Sequence, residues 1–82
     1  MAKKLAYERY FWFHSEIKAD RYPNARILSE EFEVSQKTAQ LDVEFMRDRM
    51  SAPLEYSYKN KGYFYTDDSF ELPSLSKKAL DF

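Results

Sequence analysis

The chain has no cysteine, and its 82 residues include only one glycine, one histidine and three prolines. Without cysteine there is no disulfide framework and no cysteine-based metal site. A single glycine excludes the glycine-rich loops that cradle phosphate groups. No apolar run approaches the roughly 18 residues of a membrane-spanning helix, and the first residues do not have the pattern of a signal peptide. These absences predict a soluble, cytoplasmic protein that does not contact membranes.

Aromatic residues, by contrast, are abundant: seven tyrosines, seven phenylalanines and one tryptophan. A domain of this length is close to the lower limit for a single core without disulfides or metals, so we interpret the rings first as core volume. The formal net charge is −1. A DNA-binding domain usually carries a basic surface, so the distribution of charge matters more than its sum.

Apolar residues at helical spacing predict a first helix from Leu5 to about Ala19. Its polar face, directed to solvent, includes Arg9. His14 has no second histidine or cysteine with which to form a metal site, and we interpret it as an ordinary residue of the helix surface. The predicted core face of this helix consists of Ala6, Tyr10, Phe13 and Ile17.

Two further helices are predicted, separated by only a few residues. Pro23 disfavours helical geometry at the residue before it, so the first helix ends upstream. Asn24 is a favourable N-cap for a second helix that stops near Phe32 or Glu33, and Ser35 is a favourable N-cap for a third. The predicted core face of the third helix consists of Ala39, Val43, Met46 and Met50.

After residue 53 the period of apolar residues changes from 3.6 to two, which predicts a β-hairpin. Strands over 54–58 and 63–65 are joined by a turn in which Gly62 is expected to adopt a positive φ. Three helices followed by a hairpin make a winged helix-turn-helix, a mainly α fold of the α+β class. We assign residues 1–66 to this domain and residues 67–82 to a tail or linker.

The start of the third helix and the tip of the hairpin form a candidate DNA-binding surface. In a helix-turn-helix, the N-terminal residues of the second helix of the motif contact base edges in the major groove. Glutamine suits adenine, lysine suits guanine or a phosphate, and the helix N-terminus favours a phosphate. The residues assigned to this surface are Ser35, Gln36, Lys37, Thr38, Gln40 and Leu41 on the helix and Lys59, Asn60 and Lys61 on the hairpin.

The negative charge of the chain lies mostly away from this surface. Residues 35–50 contain three basic and three acidic side chains, and residues 54–66 sum to +1. The second helix sums to −2, as does the stretch 67–82. The same fold also serves as a protein-interaction or dimerisation module, so both functions remain open. Ser35 has no histidine partner and is explained as a cap, and neither catalytic residues nor a cofactor are predicted.

Several short motifs occur in order along residues 9–75: RYPN (21–24), LSEEFEVS (28–35), KTAQ (37–40), RDR (47–49), APLEY (52–56), GYFY (62–65) and LP (72–73). Together they resemble the N-terminal domain of WYL-domain transcription regulators, which are bacterial winged-helix proteins of the DeoR type. The resemblance implies a head that binds double-stranded DNA, followed by a ligand-sensing WYL domain. Such regulators are often dimeric, so a homodimer through the C-terminal domain is one expectation. The alternative function as a dimerisation module would instead use the aromatic first helix and Leu41.

The chain departs from the family pattern at three positions of the third helix. Leu41 stands where an arginine is usual, Gln36 where a basic residue is usual, and Ala39 where a β-branched residue is usual. The loss of two positive charges predicts weaker and less salt-dependent binding by the isolated domain. Leu41 is able to contact a thymine methyl group, or it marks a surface for a protein partner.

Overall fold

The computed structural model describes residues 6–72 and contains three helices followed by a two-stranded antiparallel sheet. This winged-helix-like α+β arrangement confirms the predicted fold class. No helix within these residues has both the length and the apolar character needed to cross a lipid bilayer. The predicted Leu5 start of the first helix and the tail after Leu72 lie outside the described residues. The elements are α1 (Ala6–Lys18), α2 (Ala25–Phe32), α3 (Gln36–Arg49), β1 (Leu54–Ser57) and β2 (Gly62–Tyr65).

Local side chains set the starts of α2 and α3, as predicted. Asn24 Oδ1 accepts a hydrogen bond from the Ile27 N–H at 2.9 Å, and Ser35 Oγ accepts one from the Thr38 N–H at 3.0 Å. Each bond satisfies a backbone donor that has no partner within the helix. Glu33 ends α2 with a left-handed φ of 57°. The connection between α2 and α3 therefore needs only residues 33–35.

The core lies between the three helices and the inner face of the hairpin. The predicted core faces are confirmed at Phe13 and Ile17 of α1 and at Ala39, Val43 and Met46 of α3, whereas Ala6, Tyr10 and Met50 are only partly buried. Phe70 and Leu72 also pack against the core, so part of the predicted tail belongs to the domain. The buried hydrophobic residues are Phe13, Ile17, Leu28, Ala39, Val43, Met46, Ala52, Leu54 and Tyr65.

The prediction of a positive φ at Gly62 is wrong. The left-handed position is its neighbour Lys61, with a φ of 59°, and Gly62 is the first residue of β2. A Cβ atom at position 62 would lie 1.8 Å from the Tyr22 carbonyl oxygen. The next residue, Tyr63, donates its N–H to the Pro23 carbonyl at 2.8 Å. Glycine is required here because β2 approaches the backbone before α2, not because of the turn.

Two residues of α1 that the sequence assigns to the surface are not free in solvent. His14 is only 6% exposed, and its Nδ1 lies 2.7 Å from the Tyr65 hydroxyl oxygen. The Arg9 side chain is 13% exposed and forms an ion pair with Asp42 of α3. Both predictions are wrong for the same reason. The partners that cover these side chains are 51 and 33 residues away in the chain.

Candidate nucleic-acid interface

The first two turns of α3 present a polar outer face because the opposite face is held in the core. Ala39 and Val43 are fully buried on the inner side. Gln36 and Lys37 are exposed, and Leu41 is 54% exposed one helical turn after Lys37. Residues four apart on a helix lie on the same face, so the lysine and the leucine are neighbours on the outer surface. The structure thus brings these three predicted site residues together.

Ser35, Thr38 and Gln40 make bonds within α3 that restrict what else they can bind. Ser35 Oγ accepts from the Thr38 backbone and donates to the Thr38 hydroxyl, both at 3.0 Å. Gln40 is half-buried and its Nε2 lies 3.4 Å from a carboxylate oxygen of Glu44. Ser35 and Thr38 fix the helix start, whose remaining backbone N–H groups stay directed outward. Gln36 and Lys37 are the more available side chains.

The predicted hairpin contacts, Lys59, Asn60 and Lys61, are all exposed and lie in the turn between the strands. The Asn60 backbone N and side-chain Nδ2 are both 3.1 Å from Ser57 Oγ, so this amide orders the turn. The Lys61 N–H donates to the Ser57 carbonyl at 2.6 Å, and the Lys61 carbonyl accepts from Asn24 Nδ2 at 2.9 Å. The backbone of the tip is therefore fixed, while both lysine side chains project outward.

The basic side chains divide into those already paired with a carboxylate and those that are not. Carboxylate partners within residues 6–72 engage Arg9, Lys18, Arg21, Arg26 and Arg47. Arg49 lies over the Phe45 ring, 5.8 Å from its centroid. Lys37, Lys59 and Lys61 take part in no ion pair within the described part of the chain. The unpaired lysines are thus the ones on the candidate surface.

No protein-family model, curated protein or solved structure matches this chain. Among residues 6–72, no group of histidine, aspartate and glutamate side chains is arranged to hold a metal ion.

The rest of α3 is less suited to a polyanion. Glu44 and Asp48 follow Lys37 and Leu41 on the same outer face at helical spacing. Arg47 lies 2.8 Å and 3.2 Å from the two carboxylate oxygens of Asp48, and this contact lowers the pKa of that carboxyl group. Phosphate groups are accordingly favoured only near the first two turns of the helix.

The sequence reading missed the ion pair that positions α3 against α1. Asp42 adjoins Leu41 and is 5% exposed, while its carboxylate accepts two hydrogen bonds from Arg9. A signal for this pair was present, because Asp42 falls on the same helical face as Ala39, Val43 and Met46. An acidic residue within a core face indicates a buried partner of opposite charge.

Proposed function

We propose that this domain binds double-stranded DNA, with the first two turns of α3 in the major groove and the hairpin tip on the adjacent backbone. We further propose that it is the head of a bacterial transcription regulator acting in the cytoplasm. This regulator role is drawn from the resemblance to WYL-type proteins. The DNA contact itself has independent support in the geometry described above.

The observation that carries the proposal is the distribution of unpaired lysines. Within residues 6–72, Lys37, Lys59 and Lys61 form no ion pair and lie on two exposed elements, whereas Lys18, Arg21 and Arg26 are paired with carboxylates and Arg49 lies over the Phe45 ring. A phosphate can replace water around an unpaired ammonium group, but it must compete with a carboxylate for a paired one. Counterion release on binding is largest where cations are free.

Each group on the surface has a chemical role in this proposal. Gln36 presents an amide whose donor and acceptor match adenine in the major groove, and Lys37 binds guanine or a phosphate. The free N–H groups at the start of α3, held in place by Ser35 and Thr38, favour a phosphate. The two hairpin lysines bind the neighbouring backbone. With Leu41 in place of a cation, we expect modest affinity that a second copy on a paired site would increase.

Duplex titration over a range of salt concentrations tests the proposal. Lys37→Ala and Lys59→Ala should each weaken binding to a labelled duplex and flatten its salt dependence by roughly one unit of slope. Arg26→Ala is a matched control, because Arg26 is exposed on α2 but paired with Glu30 at 3.2 Å. Unchanged affinity and slope in both lysine variants would remove the DNA role from these positions.

A protein-docking or dimerisation function has its own support in an exposed apolar row. Leu41 is 54% exposed and Phe45, one helical turn later, is 37% exposed. The Phe45 ring stacks on Tyr10 of α1 with a centroid separation of 5.2 Å. Phe11 of α1 is also 54% exposed, in ring contact with Tyr7 at 6.4 Å. Exposed apolar side chains on both helices suit an apolar partner better than they suit phosphate.

A further inference from the structure

The tip of the hairpin carries an exposed tyrosine, Tyr58. Neither packing in the core nor the phosphate contacts proposed for the lysines account for an aromatic residue at this position. Tyr58 is 85% exposed, which is the largest value among the exposed large hydrophobic residues of the described chain. The sequence alternation placed it in the first strand, but β1 ends at Ser57 and Tyr58 begins the turn. An aromatic ring this exposed contributes little to folding, because most of its surface stays in water.

A row of rings connects Tyr58 to the core. Phe13 is fully buried, and its ring centroid is 6.0 Å from that of Tyr63. Tyr63 pairs across the sheet with Tyr56, and their rings meet edge to face at 5.1 Å. Tyr56 in turn contacts Tyr58 edge to face at 5.0 Å. Through Tyr56, its one ring contact in the described chain, Tyr58 is therefore linked to rings that reach the core.

The backbone beneath this ring is fixed. Ser57 accepts hydrogen bonds from both Asn60 and Lys61, and Asn24 ties the Lys61 carbonyl to the start of α2. A partner that contacts the ring does not have to immobilise the turn first. Less conformational entropy is therefore lost on binding at this site than at a flexible loop.

The charge around the ring favours a polyanion as that partner. Residues 56–66 include Lys59 and Lys61 and contain no aspartate or glutamate. Neither lysine forms an ion pair within residues 6–72. Tyr58 adjoins Lys59 in the turn, and the nearest acidic residue before it in the chain is Glu55. An exposed aromatic ring next to unpaired cations combines an apolar contact with phosphate neutralisation, which is the combination used on the sugar-phosphate backbone and in the minor groove.

We infer that Tyr58 is a DNA contact, whose ring packs against the deoxyribose wall of the minor groove while Lys59 and Lys61 bind the flanking phosphates. The inference rests on the proposed function and adds to it a contact that does not depend on charge. It also accounts for how a domain with few unpaired cations among residues 6–72 would hold a duplex. The contribution of the ring is apolar, so salt does not screen it.

The test is anisotropy titration of a labelled mixed-sequence duplex at several salt concentrations, with the separated strands titrated in parallel. Tyr58→Ala should weaken duplex binding by about fivefold to thirtyfold at every salt concentration, with no change of slope. Tyr58→Phe keeps the ring and should restore the affinity to within about twofold of the original. Lys59→Ala is the contrasting variant, because its effect should shrink as salt increases. Circular dichroism checks that each variant is folded.

The possible results separate the two proposals. Absence of duplex binding by the unaltered domain at low salt overturns the proposed function and the Tyr58 contact together. Normal binding by Tyr58→Ala overturns only the Tyr58 contact. If Tyr58→Ala loses more affinity for the single strand than for the duplex, the ring stacks on unpaired bases and the groove contact is overturned. A loss in Tyr58→Ala that disappears at high salt contradicts an apolar contribution.

Discussion

Arg9 of α1 and Asp42 of α3 form a two-point ion pair between residues 33 positions apart in the chain, with Nη2 to Oδ1 at 3.1 Å as the longer contact. The two side chains are 13% and 7% exposed. Asp42 lies on the core face of α3, so the pair ties the candidate DNA-binding helix to α1 from its inner side. The contact with Asp42 raises the pKa of Arg9, which keeps the guanidinium charged.

We expect Asp42→Ala to lower the free energy of unfolding by about 3 kcal/mol, because it leaves a largely buried guanidinium group without a partner. Urea denaturation monitored by tryptophan fluorescence measures this loss. Asp48→Ala removes an exposed, solvent-screened pair with Arg47 and should lower stability far less than Asp42→Ala. The double change Arg9→Met with Asp42→Leu should recover most of the stability. Equal small losses in the two aspartate variants would argue against a structural role for the buried pair.

Leu41→Arg distinguishes the two proposed functions. If the outer face of α3 meets DNA, the added cation should tighten duplex binding at low salt and steepen the salt dependence by about one unit of slope. Leu41→Gln removes the apolar side chain without adding charge, so it should not reproduce this gain. If position 41 serves a protein partner, both variants should abolish self-association in sedimentation experiments and leave duplex affinity unchanged.

Stability should depend on pH through His14. Burial lowers the pKa of this imidazole, although the Glu71 carboxylate opposes the shift. The unfolded chain, with a histidine pKa of about 6.5, therefore binds more protons than the folded domain just below that pH. The contribution of His14 to the free energy of unfolding is fully present above about pH 6.5. It declines as the pH falls through that value toward the lower pKa of the folded state. Urea denaturation at about pH 7.5 and about pH 5.5 covers this window.

His14→Gln is the control for this effect, since glutamine does not titrate. The variant is expected to be less stable at every pH, because the Tyr65 hydroxyl loses its 2.7 Å partner. Its stability should nevertheless change little between the two pH values. Lys18 lowers the pKa of Glu71, so this carboxyl group changes its charge at a more acidic pH than His14 does. An unaltered pH dependence in the variant would assign the effect to other groups.

Gly62 and Lys61 should respond to substitution in opposite ways. Gly62→Ala places a Cβ atom 1.8 Å from the Tyr22 carbonyl oxygen, so we expect a loss of about 3 kcal/mol or more as β2 is forced away. Lys61→Gly relieves a left-handed φ and should be neutral or stabilising by up to about 1 kcal/mol. Thermal denaturation of the two variants tests both statements. If Gly62→Ala leaves the stability unchanged and Lys61→Gly lowers it, the close approach of β2 to Tyr22 is not what requires glycine at position 62.

Features that depend on neighbours in sequence were predictable, and features that depend on distant partners were not. The caps Asn24 and Ser35 act on backbone groups three residues ahead, so their residue types sufficed. The alternation in residues 54–65 gave the hairpin for the same reason. The sequence places Gly62 in the turn because the actual constraint on it, the Tyr22 backbone, is 40 positions earlier. It places His14 on the surface because nothing within one helix indicates that a tyrosine 51 residues away will cover it.

The candidate site likewise has features that the local sequence predicts and features that only the packing of distant elements decides. Its residues could be proposed from the sequence because α3 and the hairpin tip are local elements whose exposed faces follow from their period. Which lysines remain free could not be predicted, since pairing depends on how the elements pack. Lys18, for example, meets Glu71 at 3.3 Å only because the chain after β2 returns to α1.

The amide of Asn24 gives this position a requirement stricter than that of an ordinary helix cap. Its oxygen accepts from Ile27 and its nitrogen donates to the Lys61 carbonyl, so one planar group joins the start of α2 to the wing. Aspartate and serine are equally good at starting helices. Aspartate, however, has no proton to donate when ionised, and the serine hydroxyl is a shorter group with a single donor. Replacing Asn24 with aspartate or serine would therefore keep the helix cap but remove one of the bonds between the start of α2 and the wing, leaving the Tyr63–Pro23 bond to join them.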